Sequence, residues 1–374
     1  MPSSQRDSVK EFSGALGDIG TLLPLSLGAV AVAGLAPVPV LVGFAAFYIA
    51  TGLYYRLPIP VQPMKAVAAL LLTTQVSSQS LVASGVLIGA ILLLLGTTGW
   101  INRVARLVPG SVLSGLQLGL GMLLAHMSLG LMATSWPLGL ATLALLVFTL
   151  KLLPNWPAAL LGLGGAVAFG AMLGAPGLTL PAADAIAFTW PGLPGIDQWQ
   201  QAFSVLVLPQ LALTVTNAIV LTALVVGDYF GEQSRRVSPA RLSVTTGLAN
   251  LFLVPFGALP MCHGAGGAAA HYRFGARTGM APILLGAALL MVAFVPGGLS
   301  IIAAIPTAGL GALLMVAAVE LAVSRRLWTA KPSCWPVIAV TALVTVWVDP
   351  FFGLLAGVAS ETVRAAWVRR QKIA

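Results

Sequence analysis

The sequence predicts an all-α polytopic membrane protein of about 14 transmembrane segments. They are expected as seven-plus-seven inverted repeats with broken helices in segments 3 and 10. Three observations carry this expectation. The 374 residues are 58% hydrophobic and only 8% charged, against roughly 25% charged in soluble domains. Apolar runs long enough to cross a hydrocarbon core of about 30 Å recur along nearly the whole length. Two of these runs are interrupted by prolines at corresponding places in the two halves. Short alternating barrel strands are absent from the pattern.

The runs fall at about 12–33, 37–56, 58–75, 81–100, 109–132, 136–153, 156–174, 203–227, 241–257, 259–275, 281–303, 306–324, 335–348 and 351–367. The first follows "MPSSQRDSVKEF", which lacks a small-residue cleavage site, so no removable signal peptide is expected. It carries Asp18 and Thr21 inside "GALGDIGTLLP". The third, "RLPIPVQPMKAVAALLLTTQ", holds Pro58, Pro60 and Pro63, which forbid a continuous helix through its first half. A helix starting near Pro63 is compatible with them. His126 sits in a plain fifth span and reads as structural. The small-residue run at 162–166 reads as helix packing, since no phosphate-loop lysine and serine follow it. The longest stretch that is not plainly a span, 176–202, is too short for a soluble domain.

The second half opens with "LPQLALTVTNAIV", which carries Gln210, Thr214, Thr216 and Asn217. The tenth span, "FGALPMCHGAGGAAAHYRF", repeats the grammar of the third: Pro255 and Pro260 precede a small-residue helix that starts near Cys262 to Gly264. Aligning the two sets Pro63 against Pro260 and Met64 against Met261, 197 residues on. At about the same offset the first span faces 208–220. An odd number of spans per half gives the halves opposite orientations, the plan of many secondary transporters.

The formal net charge of +9 is a topology signal rather than a nucleic-acid signal. With both termini cytoplasmic, Arg6, Lys10, Arg56, Arg103, Arg106, Lys151, Arg235, Arg236, Arg241, Arg273, Arg277, Arg325, Arg326, Lys331, Arg364, Arg369, Arg370 and Lys372 all fall on the cytoplasmic side. The opposite loops, near 34, 77, 134, 176–202, 300 and 349, contain no Lys or Arg. The expected setting is therefore multi-pass in the cytoplasmic (plasma) membrane, with anionic lipid as a secondary partner. Lys65 is the exception, a basic residue inside a span. Cys262 and Cys334 lie far apart without a CxxC, so neither a disulfide framework nor a metal site is expected, and no cofactor.

A half-helix that begins in mid-membrane presents unpaired N–H groups and the positive end of its dipole. Two of them facing each other form an anion site. Lys65 adds a full charge to one, and Gly264, Gly266 and Gly267 in the other let a ligand approach the backbone. The expected substrate-binding positions are thus Gln62, Pro63, Met64 and Lys65, and Cys262, His263, Gly264, Ala265 and Gly266, with Thr21 and Asn217 beside them. Each has a plainer reading: Lys65 snorkels to an interface, Gln62 caps a helix, and Gln210 and Asn217 tie helices together. Asp18 is the first proton-coupling candidate and His263 the second. His271 is expected nearer the cytoplasmic mouth, and Asp228, Glu232 and Glu320 to pair with nearby Arg.

"GALGDIGTLLPL", "PVQPMKAVAA" and "PMCHGAGGAAAHYRFGART" resemble signature segments of the molybdate transporter family, related to the sulfate permease and anion exchanger superfamily. The resemblance spans nearly the whole chain. It implies a core domain from 1–107 and 176–304 and a gate domain from 108–175 and 305–374, with no STAS domain. It also implies elevator-type exchange, with substrate between the starts of spans 3 and 10, and carries Asp18, Thr21, Gln62, Lys65, His263, Gly264 and Gly266 as site positions.

The expected function is secondary active uptake of a small oxyanion, molybdate first, by proton symport. Sulfate, tungstate or another anion on the same fold is the alternative, and a homodimer is compatible with it. A nucleobase-type carrier fits Lys65 poorly. An intramembrane enzyme is the remote alternative, since no catalytic pair or HExxH is present.

Overall fold

The structure is a computed structural model; it describes residues 3–23, 25–26, 35–73, 76–153, 156, 158–175, 177, 192–323, 325–348 and 350–373. Most of the 176–202 loop and the end of the first span therefore lie outside the described residues. So do the side chains of Arg6, Arg106, Glu320, Arg325, Arg326, Arg369, Arg370 and Lys372.

The fold is 81% helical. The main helices are α1 (Ser3–Leu16), α2 (Pro37–Tyr55), α3 (Lys65–Thr73), α4 (Ser78–Thr97), α5 (Gly110–Met132), α6 (Trp136–Leu152) and α7 (Ala158–Leu173). A helical rod over 196–230 follows, then α8 (Pro239–Leu253), α9 (Ala265–Arg273), α10 (Met280–Phe294), α11 (Thr307–Ala322), α12 (Trp335–Trp347) and α13 (Pro350–Ile373). Four described helical stretches are long and apolar enough to cross a membrane: Pro37–Tyr55, Ser78–Thr97, Gly110–Met132 and Thr214–Arg236. Shorter apolar helices fill in between them.

The packing pairs elements distant in sequence. α2 lies against α10, α4 against α8, and α5 against α11 and α12. Glycines set how closely these helices approach. A Cβ on Gly89 would stand 2.9 Å from the carbonyl of Gly247, and one on Gly247 would stand 2.8 Å from that of Gly89. Gly52 and Gly279 block each other in the same reciprocal way between α2 and the start of α10. Small residues permit such backbone contact, which is the main attractive force between helices where lipid is as apolar as the side chains.

The two proline-interrupted segments are extended before they become helical. Gln62–Pro63 forms strand β1 and Met261–Cys262 forms β2, and they pair antiparallel with Gln62 opposite Cys262 and Pro63 opposite Met261. The amide of Met64 extends the ladder to the Pro260 carbonyl at 2.9 Å. Proline cannot donate to a ladder, so the pairing stays short and each chain turns directly into a nine-residue helix, α3 or α9.

Two spans depart from the sequence reading. The first is not one helix over 12–33: α1 ends at Leu16, Gly17 and Asp18 form a turn, and the helix resumes at 19–23. The amides of Thr21 and Leu22 bond the Asp18 carbonyl at 3.0 and 2.9 Å, restarting the helix there. The eighth is longer than 203–227 and contains two π-helical stretches, Ala202–Val207 and Thr214–Leu221. The first ends two residues before Pro209, whose missing N–H removes a regular helical bond.

Candidate functional site

The break at Gly17–Asp18 frees the Asp18 side chain from its own helix and turns it into the protein. Its Oδ2 accepts from the Tyr48 hydroxyl of α2 at 2.7 Å, and its Oδ1 accepts from Gln62 Nε2 at 2.6 Å. Asp18 is wholly buried. Thr21, one turn on, is buried as well. Gln62 is 1% exposed, and its Oε1 has no hydrogen-bond partner among the described residues.

This Asp18–Gln62 pair lies against the first turn of α9. A Cβ on Gly267 would stand 2.5 Å from Gln62 Nε2, 2.6 Å from Pro60 Cβ and 2.7 Å from Asp18 Oδ1. A Cβ on Gly264 would collide with Gln62 Oε1. Among the described residues the amides of Ala265, Gly266 and Gly267 have no hydrogen-bond partner. Gly264, with φ −160° and ψ 132°, is extended and offers no side-chain cap. The start of α9 is therefore a buried set of open donors.

The start of α3 is built differently. Gln210, from the rod over 196–230, places Oε1 2.8 Å from the amide of Ala66 and 3.4 Å from that of Val67, and its Nε2 donates to Thr214 Oγ1 at 2.9 Å. Gln210 is thus a helix cap delivered from another span. Half of the expected pair of open helix starts is filled by the protein itself. Lys65, the first residue of α3, is partly buried and has no carboxylate within ion-pair distance among the described residues. It supplies the positive charge of the region. Asn217, in the second π-helical stretch, packs in a segment that touches α9, and its Oδ1 is buried without a partner among the described residues.

The three histidines have different surroundings. The His263 imidazole is saturated: Nδ1 donates to the Pro60 carbonyl at 2.9 Å, and Nε2 accepts from the Thr245 hydroxyl at 3.1 Å. It lies between the rings of Phe47 and Tyr55. Its side chain thus ties the segment before β1 to α8 and packs against α2, with both ring nitrogens engaged within the protein. His271 is fully buried, and its Nδ1 donates to the Gly14 carbonyl at 2.8 Å. His126 faces outward from α5. Glu232 pairs with Arg235 as expected.

Cys262, Met64 and Pro63 are buried in and beside the strand pair, where their backbone holds the two helix starts in register. Three supports were not singled out from the sequence. Asn250 on α8 brackets Met261, donating Nδ2–H to its carbonyl at 2.6 Å and accepting its amide at 3.0 Å, and so acts as a third strand edge. Tyr48 holds Asp18, and Thr245 holds His263. Asn250 had one available signal, a carboxamide in the middle of the apolar run 241–257. Glu11 ties α1 to the loop after α9, its Oε1 accepting from the amides of Arg277 and Thr278 at 2.8 and 2.9 Å.

The chain matches the family described as molybdate transporters of the MFS superfamily over residues 10–124 and 202–321. It is similar to molybdate transporter 1 of Arabidopsis thaliana, at 31% identity over 94% of this chain and 87% of that one. Molybdate transporter 2 of the same plant is 30% identical over 89% of this chain and 82% of that one. Among solved structures, the transmembrane domain of the cyanobacterial bicarbonate transporter BicA superposes with a TM-score of 0.65 at 17% identity, covering 96% of this chain and 98% of that one. That likeness establishes the fold.

Proposed function

The chain belongs to the molybdate transporter family, and from that premise we propose that it carries molybdate into the cell across the cytoplasmic membrane, driven by protons. The observation that carries the site is the start of α9, where three buried amides stand open beside Gln62 and across the strand pair from Lys65. Preorganised N–H donors and one nearby ammonium suit a compact dianion. The binding set is the open amides of Ala265, Gly266 and Gly267 and the extended backbone of Gly264, with Gln62, Lys65 and Asn217, and Thr21 borders it. Asp18 is the proton-coupling carboxylate, since it is wholly buried and touches Gln62.

The same reading takes the chain as seven-plus-seven inverted repeats with a core of 1–107 and 176–304 moving as an elevator against a gate of 108–175 and 305–374. The reciprocal packing supports it. α2 meets α10 while α4 meets α8, the exchange expected if the second and fourth members of one half face the fourth and second of the other. The extended segment followed by a nine-residue helix, found once in each half, supports it too.

Purified protein in liposomes tests the proposal. Accumulation of radiolabelled molybdate is expected under an inward-directed proton gradient, with collapse on adding an uncoupler. Uptake that excess sulfate abolishes while excess tungstate leaves intact would move the assignment to sulfate. No accumulation under any gradient would remove the coupling claim.

A further inference from the structure

We propose that Gln62 is a rotating amide that makes oxyanion binding conditional on a proton at Asp18, an inference that rests on the oxyanion site proposed above. An ionised carboxylate only accepts hydrogen bonds. While Asp18 is charged, Gln62 must therefore turn its nitrogen to Oδ1, the arrangement observed at 2.6 Å. A carboxamide carries its oxygen opposite its nitrogen, so Oε1 is then forced the other way. That oxygen is buried, has no partner and lies against Gly264 at the start of α9. In this state the site presents a partial negative charge where the anion's oxygens would come.

Protonation reverses the requirement. Asp18 then carries an O–H on Oδ1 that needs an acceptor, and Gln62 Oε1 is the free acceptor of its neighbour. A half-turn of the amide about its last side-chain bond puts Oε1 on the Asp18 O–H and swings the Nε2 hydrogens toward Gly264. An orphaned acceptor becomes a partnered one, and the anion gains a donor where it had faced an oxygen. Oδ2 keeps the Tyr48 hydrogen bond throughout. The proton comes from water on the side to which the site is open and leaves to water on the other, and no heavy-atom bond changes.

The groups facing this pair leave Asp18 as the proton carrier. Tyr48, from α2, serves as a donor to the carboxylate. Lys65, at the start of α3, lies beyond ion-pair distance of it. Cys262, opposite Gln62 in the strand pair, is a free buried thiol. His271, on α9, stands edge-on to the Tyr48 ring at 6.5 Å between centroids and donates Nδ1–H to Gly14. Among the described residues its Nε2 is buried without a partner, which makes it a competing proton acceptor.

The test is calorimetric titration of purified wild-type protein with molybdate, in buffers of different ionisation enthalpy and across a pH series. The expected result is uptake of about one proton per anion, with affinity falling by up to about tenfold per pH unit once Asp18 is ionised. Asp18→Asn supplies a fixed N–H to Gln62 Oε1 and an oxygen to Tyr48, so it holds the amide in the binding orientation. It is expected to bind molybdate with no proton uptake and a flat pH profile, and to exchange molybdate across liposomes without accumulating it. His271→Gln is expected to keep the wild-type slope.

Binding by wild type without proton uptake overturns the inference, as does a wild-type slope in Asp18→Asn or a flat profile in His271→Gln. If Asp18→Asn fails to fold, the wild-type proton count decides alone. The substrate assignment fails separately, by the absence of a molybdate isotherm, and the proton count is then read with sulfate. No isotherm with either anion overturns both.

Discussion

The two helix starts at the centre of the molecule come from the same sequence grammar and are finished in opposite ways. α3 opens with Lys65 and has its amides capped by Gln210. α9 opens with Ala265, Gly266 and Gly267, has no side-chain cap, and among the described residues keeps those amides open. One start therefore contributes a charge and the other contributes donors. A symmetric pair of open starts would hold a dianion strongly from both sides. The capped start weakens one of them, and release as well as binding is required of a carrier. Gln210 and Gln62, two carboxamides, stand at the two starts: the first is satisfied at both ends, the second only at its nitrogen.

Four substitutions would break or sharpen this contrast. Gly267→Val attacks the open start most directly, because its side chain would occupy the space of Gln62, Pro60 and Asp18. Complete loss of molybdate uptake is expected, with the protein still extractable as a monodisperse species on gel filtration. Lys65→Met removes the charge from the capped start; loss of a close ionic contact costs about 2 kcal/mol, so apparent affinity for molybdate should fall roughly 30-fold in direct binding. Retained affinity would mean that the amides of α9 suffice.

Gln210→Ala uncaps α3, and the expected stability loss is about 1 kcal/mol, read as a lowered thermal midpoint in detergent, with affinity changed less than in Lys65→Met. A larger affinity loss than stability loss would make Gln210 a direct ligand. The smallest effect is expected from His263→Gln, where the proline carbonyl and threonine hydroxyl keep a carboxamide partner: stability falls slightly, and the pH profile of uptake stays that of wild type. A shifted profile would make His263 a proton carrier beside Asp18.

What was legible in the sequence follows from local physics. Pro58, Pro60 and Pro63 in one run, and Pro255 and Pro260 in the other, dictate extended chain ahead of a short helix because proline cannot sit in a helix interior. The glycines after Pro260 mark close approach, and the structure places Gln62 and Asp18 against Gly264 and Gly267. Polar residues in apolar runs marked Asp18, Gln62, Gln210 and Asn217 as important. Their partners were not legible. Nothing near Gln210 indicates that it caps a helix 144 residues away. His263 sits in the most specific motif of the chain, and its imidazole nevertheless points into a structural pocket formed by Pro60, Thr245, Phe47 and Tyr55.

By itself, then, the sequence determined the solvent, the helical class, the two interrupted segments and the family. These depend on composition, on hydrophobic run length and on the covalent limits of proline and glycine, all of which act within a few residues. The tertiary structure alone decided which helix start is capped and which stays open, which ring nitrogens are occupied, and that Asp18 and Gln62 share a hydrogen bond. Those outcomes depend on hydrogen bonds between residues 18 to 257 positions apart, and a buried polar group takes whichever partner the packing brings within about 3 Å.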